Sequence, residues 1–458
     1  MRFAAFAASA LLNACAGPAS FARPSALVAA EERAKTASPI RHVVLVVQEN
    51  RTFNDFFATY PGADGTTTGR IAKISNPRCH VGASGTIALT KVPLVTSHDL
   101  DHRYVGYRTA RDGGKMDAFD KIPSYSGNPE CFLPYVYTDP AQIRPYWDMA
   151  EQYALAEHMF PTHGSSSFVA HQDLIRGSTD IGGGVSLIDF PTGEPWGCDA
   201  KAGTVTSLIT SDLKYLLDQG PFPCTSAFPS SGVAYRTMRD LLDQRGVSWK
   251  YYAPPFDTNF GKLLTAFDVV APVRYGTEWH TNIVTPQTKI FHDVSAGTLP
   301  AVSWVIPDEP ESDHPGEKVD RGPAWVASIV NAVGESPYWD STAIVVFWDD
   351  WGGLYDNVSP PQLGYGGLGF RVPAIVISPY AKAGYISKTT YEFGSILRYI
   401  EENFGLGSLG TSDKRANSIA DCFDYSQAPI AFTPIPSQYS KEFFIREAPS
   451  YRANDTDY

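Results

Sequence analysis

Beyond its first two dozen residues, this 458-residue chain has no stretch approaching the ~20 consecutive apolar residues that a membrane-spanning helix requires. Contact with a membrane is therefore expected to be peripheral at most. Basic residues are in deficit: 37 Lys and Arg face 49 Asp and Glu, a formal charge of −12. That balance excludes a protein that grips nucleic acid over its whole surface and leaves room only for a local basic pocket. Cysteine is scarce too, at six, with no Cys-x-x-Cys and no Cys/His cluster at zinc-finger spacing. A Gly-x-Ser-x-Gly elbow is missing, so a serine esterase of that type has no support. No internal repeat or low-complexity tract interrupts a composition that is 43% hydrophobic, which is ample for a core and excludes disorder over most of the length.

Two continuous apolar runs end in polar residues. HVVLVVQEN (His42 to Asn50) and AIVVFWDDWGG (Ala343 to Gly353) read as strands covered on both faces by helices. Ligands of open α/β sheets sit beyond the carboxyl ends of such strands, where Glu49, Asn50, Asp349 and Asp350 fall. Three acids and an amide converging on one crevice repel one another unless a cation neutralises them, so an oxygen-ligated divalent metal is expected, as one or two ions of unspecified identity. Each acid could equally cap a following helix or turn. Gly352 and Gly353 let the backbone turn sharply there.

The order of the remaining segments predicts an α/β fold. SWVIP (Ser303 to Pro307), a helix over Trp325 to Val333, the strand ending at Asp350, VPAIVISP (Val372 to Pro379) and a helix over Phe393 to Phe404 imply parallel strands with crossover helices. Residues 145 to 160 carry helical periodicity and lead to a Ser-rich turn opening a second helix, whereas 71 to 125 read as loops over the sheet. From about 180 to 300 the composition shifts to Gly, Pro, Thr, Tyr and Phe, with short helical pieces such as Tyr235 to Gln244, which predicts an inserted cap that governs substrate choice. Residues 1–22 read as an export signal, with lipoprotein processing at Cys15 as the rival; 23–39 form a spacer, 40–425 the main domain and 426–458 a C-terminal extension. A periplasmic or extracellular location follows and permits disulfides. Cys79 with Cys131 and Cys198 with Cys224 are favoured because each pair shares one Pro/Gly-rich region, leaving Cys422 a buried thiol.

A nucleophile is sought among Ser165, Ser166 and Ser167, since a hydroxyl at a helix N-terminus sees the positive end of the dipole and suits a bound phosphate. Capping alone also accounts for a serine triplet. Of the loop histidines His98, His102, His163, His171, His280 and His314, most read as surface residues. His314 stands apart because SDHPG follows a strand and reaches the same sheet edge as Asp349, and His98 and His102 sit four apart, a ligand-like spacing if helical. Lys115 offers a phosphate a positive charge, with an ordinary surface lysine as the alternative.

Seven ordered blocks spanning about residues 40 to 425, among them HVVLVVQENRTFNDFF, HDLDHRYVGYRTARDGGKMDAF, MFPTHGSSSFVAHQ, SDHPG and VVFWDDWGGLYDNVSPP, resemble the bacterial phospholipase C and acid phosphatase phosphoesterase family of the alkaline phosphatase superfamily. The resemblance implies a three-layer α/β/α sandwich with a mostly parallel sheet and a metal-dependent hydrolase of phosphoric esters working through a phosphoenzyme. It assigns Glu49, Asn50, Asp349, Asp350 and Ser167 to the metal, Ser167 to nucleophilic attack, and His314, His98 and less closely His280 to the phosphate side. His102 and Lys115 complete the substrate-binding candidates. Two departures stand out: Val169 where the family often has Pro, and Asn357 where it often has His, which removes one proton donor. The implied substrate is a small phosphoester, on an acid phosphatase-like reading, or a phospholipid, on a phospholipase C reading. A non-catalytic secreted binding protein is the rival of another class. A sulfatase is disfavoured because its Cys/Ser-x-Pro-x-Arg pattern is missing.

Overall fold

Val43 to Val47 and Thr342 to Trp348 are buried along their whole length because each lies inside a sheet with both faces covered. The computed structural model describes residues 1, 38–72, 79, 85–96, 99–124, 130–229, 234–316, 318–319 and 321–451. Its main sheet has eight strands: β1 (His42–Gln48), β2 (Ala154–Ala156), β3 (Trp249–Tyr252), β4 (Ile283–Val284), β5 (Val302–Val305), β6 (Thr342–Trp348), β7 (Ala374–Ile377) and β8 (Tyr385–Ser387). They are ordered β4-β3-β5-β1-β6-β7-β2-β8, and every neighbouring pair is parallel except the two made by β7. The mostly parallel α/β sheet expected from the sequence is therefore present, with one strand reversed. The reversal has a local cause: an irregular connection, not a crossover helix, joins β6 to β7, so the chain returns antiparallel.

Alternation along β6 shows the layers. Phe347 meets Phe393 at 5.5 Å between ring centroids, whereas its neighbour Trp348 meets Tyr146 at 4.8 Å. Successive strand residues point to opposite faces, so α4 (Phe393–Phe404) covers one face and α1 (Arg144–Gln152) the other. With α4 packs α2 (Ser167–Arg176), and with α1 packs α3 (Gly322–Gly334). Trp304 of β5 reaches the α2 side and donates its indole N–H to the Leu174 carbonyl at 3.2 Å.

Several expected boundaries shift. The helical pattern at 145–160 stops at Gln152, and Ala154–Ala156 is instead a buried strand between β7 and β8, where sheet pairing overrides the propensity of alanine. Residues 71–125 are more than loops: Tyr104–Arg111 is a helix, and Tyr104, Tyr107, Phe119, Trp351 and Phe370 share a second apolar cluster. The 180–300 region is divided. Its first part forms a separate four-stranded antiparallel sheet (180–182, 185–188, 207–210 and 215–216), but 249–252 and 283–284 are β3 and β4 of the main sheet. Residues 39–458 form one unit by their internal contacts. Cys79–Cys131 and Cys198–Cys224 are disulfides and Cys422 is a buried free thiol, as expected. Among the described residues no helix is long and apolar enough to cross a membrane.

Candidate active site

β1 pairs with β6 through Gln48 and Trp348, so Glu49 and Asp349 leave the sheet side by side. β5, the other neighbour of β1, sends its chain through Ser312 to His314, with the Ser312 carbonyl accepting from Glu49 N at 2.8 Å. Glu49, Asn50, Asp349, Asp350 and His314 thus meet at the carboxyl ends of three adjacent strands, all buried.

Tight turns hold these side chains. Asn50 adopts φ 56°, a left-handed conformation that Asn tolerates, and its N–H donates to Asp349 Oδ1 at 2.9 Å. Gly352 passes so close that a Cβ there would stand 2.2 Å from the Asn50 carbonyl oxygen, and one on Gly353 would stand 2.3 Å from Leu100 Cβ. The two glycines of WGG are therefore required for close approach as well as for their positive φ. Asp313, at φ 64°, is pinned by the Tyr146 hydroxyl at 2.6 Å and the Trp348 indole at 3.2 Å, while its carbonyl accepts from buried Arg51 at 2.7 Å. This bracing aims His314.

Of the three serines, one reaches the acids. Ser167 Oγ, in the first turn of α2, donates to Asp350 Oδ2 at 3.1 Å and lies 3.3 Å from Asn50 Oδ1. Ser165 Oγ is bound to Asp189, and Ser166, the N-cap, makes no side-chain cap bond. Capping therefore does not account for the triplet.

Asn50 is the hub for two imidazoles. His314 Nδ1 lies 2.7 Å from the Pro315 carbonyl, and His102 Nδ1 lies 2.7 Å from the Leu100 carbonyl. Those contacts place each proton on Nδ1, so both Nε2 atoms accept from Asn50 Nδ2, at 2.8 and 3.4 Å. His102 Nε2 is also 3.9 Å from Asp350 Oδ2, and Trp351 holds the His102 carbonyl at 3.0 Å.

His171 was read from sequence as a surface histidine, yet it is buried here, with Nε2 3.1 Å from Glu49 Oε1 and 3.9 Å from Asp349 Oδ2. The signal was its spacing: four residues beyond Ser167 on one helix puts both on the same face. Candidate ligand atoms of Glu49, His171 and Asp349 lie within 4.8 Å of one another. Asp349 Oδ1 accepts two backbone N–H bonds, but its buried Oδ2 accepts none from the described residues. A buried carboxylate oxygen without a donor, facing a second carboxylate and an imidazole, fits a divalent cation.

Other sequence candidates lie elsewhere. Lys115 is exposed and paired with Asp112 at 2.8 Å, and that contact raises its pKa. His280 is exposed on a short helix and lines a different cavity with Phe256, Trp279 and Lys289. His163 is bound through Nδ1 to Asp173 at 2.7 Å. His98 lies outside the described residues. Asn357, standing where the family often has His, accepts from Arg371 at 2.8 Å.

Known proteins similar in sequence to this chain include bacterial phospholipases C. Phospholipase C A of Mycobacterium tuberculosis is 26% identical over 447 residues, covering 86% of this chain and 79% of the relative. The non-hemolytic phospholipase C of Burkholderia pseudomallei is 24% identical over 83% of this chain and 57% of its own length, and the hemolytic phospholipase C of Pseudomonas aeruginosa is 22% identical over 92% and 62%. A family model described as Phosphoesterase family matches residues 40–407, which takes in every strand of the main sheet and all the converging side chains. The chain belongs to the Phosphoesterase family and is a hydrolase acting on phosphoric ester bonds.

Proposed function

We propose that Ser167 is the nucleophile of this phosphoester hydrolase, and one observation carries the reading: Ser167 Oγ lies 3.1 Å from Asp350 Oδ2 at the ends of β1 and β6. Glu49, Asn50, Asp349, Asp350 and Ser167 would hold a divalent cation, and His171 joins them on its contacts with Glu49 and Asp349. Such an ion, when bound, lowers the pKa of a coordinated hydroxyl and neutralises phosphoryl charge. The side chains do the rest. Asp350 accepts the Ser167 proton as the Oγ–P bond forms in line with departure of the leaving oxygen. His102 and His314, once protonated on Nε2, donate to the phosphoryl oxygens or the leaving group. Water then cleaves the seryl phosphoester and frees phosphate from a monoester substrate, or the phosphate ester of the headgroup from a diester.

The acid phosphatase-like reading rests on the SSSFVAHQ block. A phospholipase C reading is favoured by the relatives and by charge, since among the described residues the side chains contacting Ser167 and Asn50 include two histidines and no Arg or Lys. The single charge of a phosphodiester needs less compensation there than a dianionic monoester. The separate sheet over 180–216 adjoins the nucleophile turn through the Ser165–Asp189 contact, which supports its part in substrate choice. Export is part of the same reading, supported by the two disulfides.

The test is acid quenching during turnover followed by peptide mass spectrometry, which should find phosphate (from a monoester) or the headgroup-bearing phosphoryl group (from a diester) on Ser167 in the wild type and neither in Ser167→Ala. Full activity in Ser167→Ala would remove the assignment. Rates on a phosphomonoester, a soluble phosphodiester and phosphatidylcholine vesicles decide between the two substrate readings.

A further inference from the structure

At the far end of α2 from Ser167 lies a cavity of about 270 Å³ that none of Glu49, Asn50, Ser167, Asp349 or Asp350 lines. Its wall carries Arg176, Arg415, His163, Thr162, Ser178 and Tyr365, and among the described residues no Leu, Ile, Val, Met or Phe. A cavity built this way is made for water or a polar ligand rather than for an apolar one.

Arg176 indicates which. Arg176 is 2% exposed, yet no carboxylate among the described residues touches it; the nearest electrostatic partner is buried Asp173, one turn earlier on α2, which contacts His163 and acts on both Arg176 and Arg415 from farther off. Arg176 Nη1 donates to the Ser178 carbonyl at 2.8 Å and the guanidinium lies 4.3 Å over the Tyr235 ring, but Nε has no acceptor among the described residues. The helix C-terminus offsets part of the charge and does nothing for that donor. A buried guanidinium with one N–H unsatisfied and no carboxylate in contact gains from an anion placed in the cavity beside it.

A second cation faces the same space. Arg415 uses Nε and Nη2 on Glu392, at 2.7 and 2.8 Å, leaving Nη1 3.4 Å from where a Cβ on Gly364 would stand. Asp173 holds His163 Nδ1, so Nε2 is the ring's remaining polar atom. Among the described residues the lining has one carboxylate, Asp180, whose Oδ1 accepts from Gly182 N at 2.7 Å. Two planar donor forks and a histidine around a space of this size suit a tetrahedral oxyanion.

We propose that this cavity is a second phosphoryl-oxyanion site, separate from the reacting centre and joined to it by α2, which takes either free phosphate or the phosphate of an ester headgroup. The site does not depend on Ser167 being the nucleophile. Its test is calorimetric titration of the full chain, stripped of metal by a chelator, with inorganic phosphate and in parallel with phosphocholine. One ligand per chain is expected, with affinity unchanged in Ser167→Ala. Ser178→Asp keeps an acceptor for Asp180 N and sets a carboxylate beside Arg176, so it should weaken binding about tenfold or more while hydrolysis on metal repletion persists. Arg176→Gln should do the same, and if it fails to fold, Ser178→Asp decides alone. Tighter binding of phosphocholine names an ester headgroup as the occupant; tighter binding of phosphate names the free anion. No binding by the wild type, binding undiminished in Ser178→Asp, or binding lost in Ser167→Ala overturns the proposal.

Discussion

The two ends of α2 carry opposite electrostatic problems. At its N-terminal end Ser167 meets Asp350 and His171 meets Glu49 and Asp349, and a carboxylate oxygen of Asp349 is left without a donor among the described residues. At its C-terminus the atom left without an acceptor is Nε of Arg176. Each imbalance names the sign of what completes it: a cation at the first, an oxyanion at the second. The helix dipole does not explain the first arrangement, because it favours anionic groups at the N-terminus without supplying a donor to Asp349.

The comparison breaks most visibly at the acidic end. Asp350→Ala removes the acceptor of the Ser167 proton and should lower phosphoester hydrolysis by about 10³-fold or more, read as kcat/KM, with the circular dichroism spectrum unchanged. Activity within a few-fold of wild type would remove Asp350 from the mechanism. Gly352→Ala should follow, destabilising the fold by about 3 kcal/mol in denaturant titration, because a Cβ at φ 56° meets the Asn50 carbonyl at 2.2 Å. His171→Ala should weaken divalent-metal binding by roughly 10–100-fold in equilibrium dialysis, a readout independent of turnover. Unaltered metal affinity would restrict the ion to the oxygen ligands.

A further expected effect concerns pH. Burial pushes the Glu311 carboxyl, on the turn that leads to His314, up to about 8. The folded chain then holds this proton more tightly than the unfolded chain does. Its contribution is full below the unfolded carboxyl pKa of ~4.3 and is lost as pH rises toward 8, at about 1 kcal/mol per pH unit. Glu311→Gln preserves the acceptor for Gln287 and Asp308 N, so stability between pH 5 and 8 should decline less steeply in the variant, the remainder coming from other raised carboxyls such as Asp308 and Asp268. An identical slope in the variant would place the titration elsewhere.

Much of the acidic centre was legible because it is written into strand ends. A fully apolar run followed by Glu-Asn or Asp-Asp states both a buried strand and a polar terminus, and parallel pairing brings such termini together whatever the loops do. Ser167 was legible as one of three, and contact with Asp350 separated it from Ser165, which Asp189 takes. His171 was missed because its one mark, the four-residue spacing from Ser167 on α2, gains weight only once Ser167 is placed against the acids. Lys115 and His280 show the converse: residue type suggested a role, and exposed positions away from the strand ends do not support it.

The sequence by itself determined the α/β class, the central strands, the acids at their ends and both disulfide pairings, since hydrophobic runs and short-range composition act locally. Only the tertiary structure decided that β7 runs against its neighbours, that two strands of the 180–300 region enter the main sheet, that His171 faces Glu49, and that Arg176 is buried with its Nε unsatisfied. Those are outcomes of long-range pairing, in which the partner comes from a distant segment and no local pattern encodes its distance or sign.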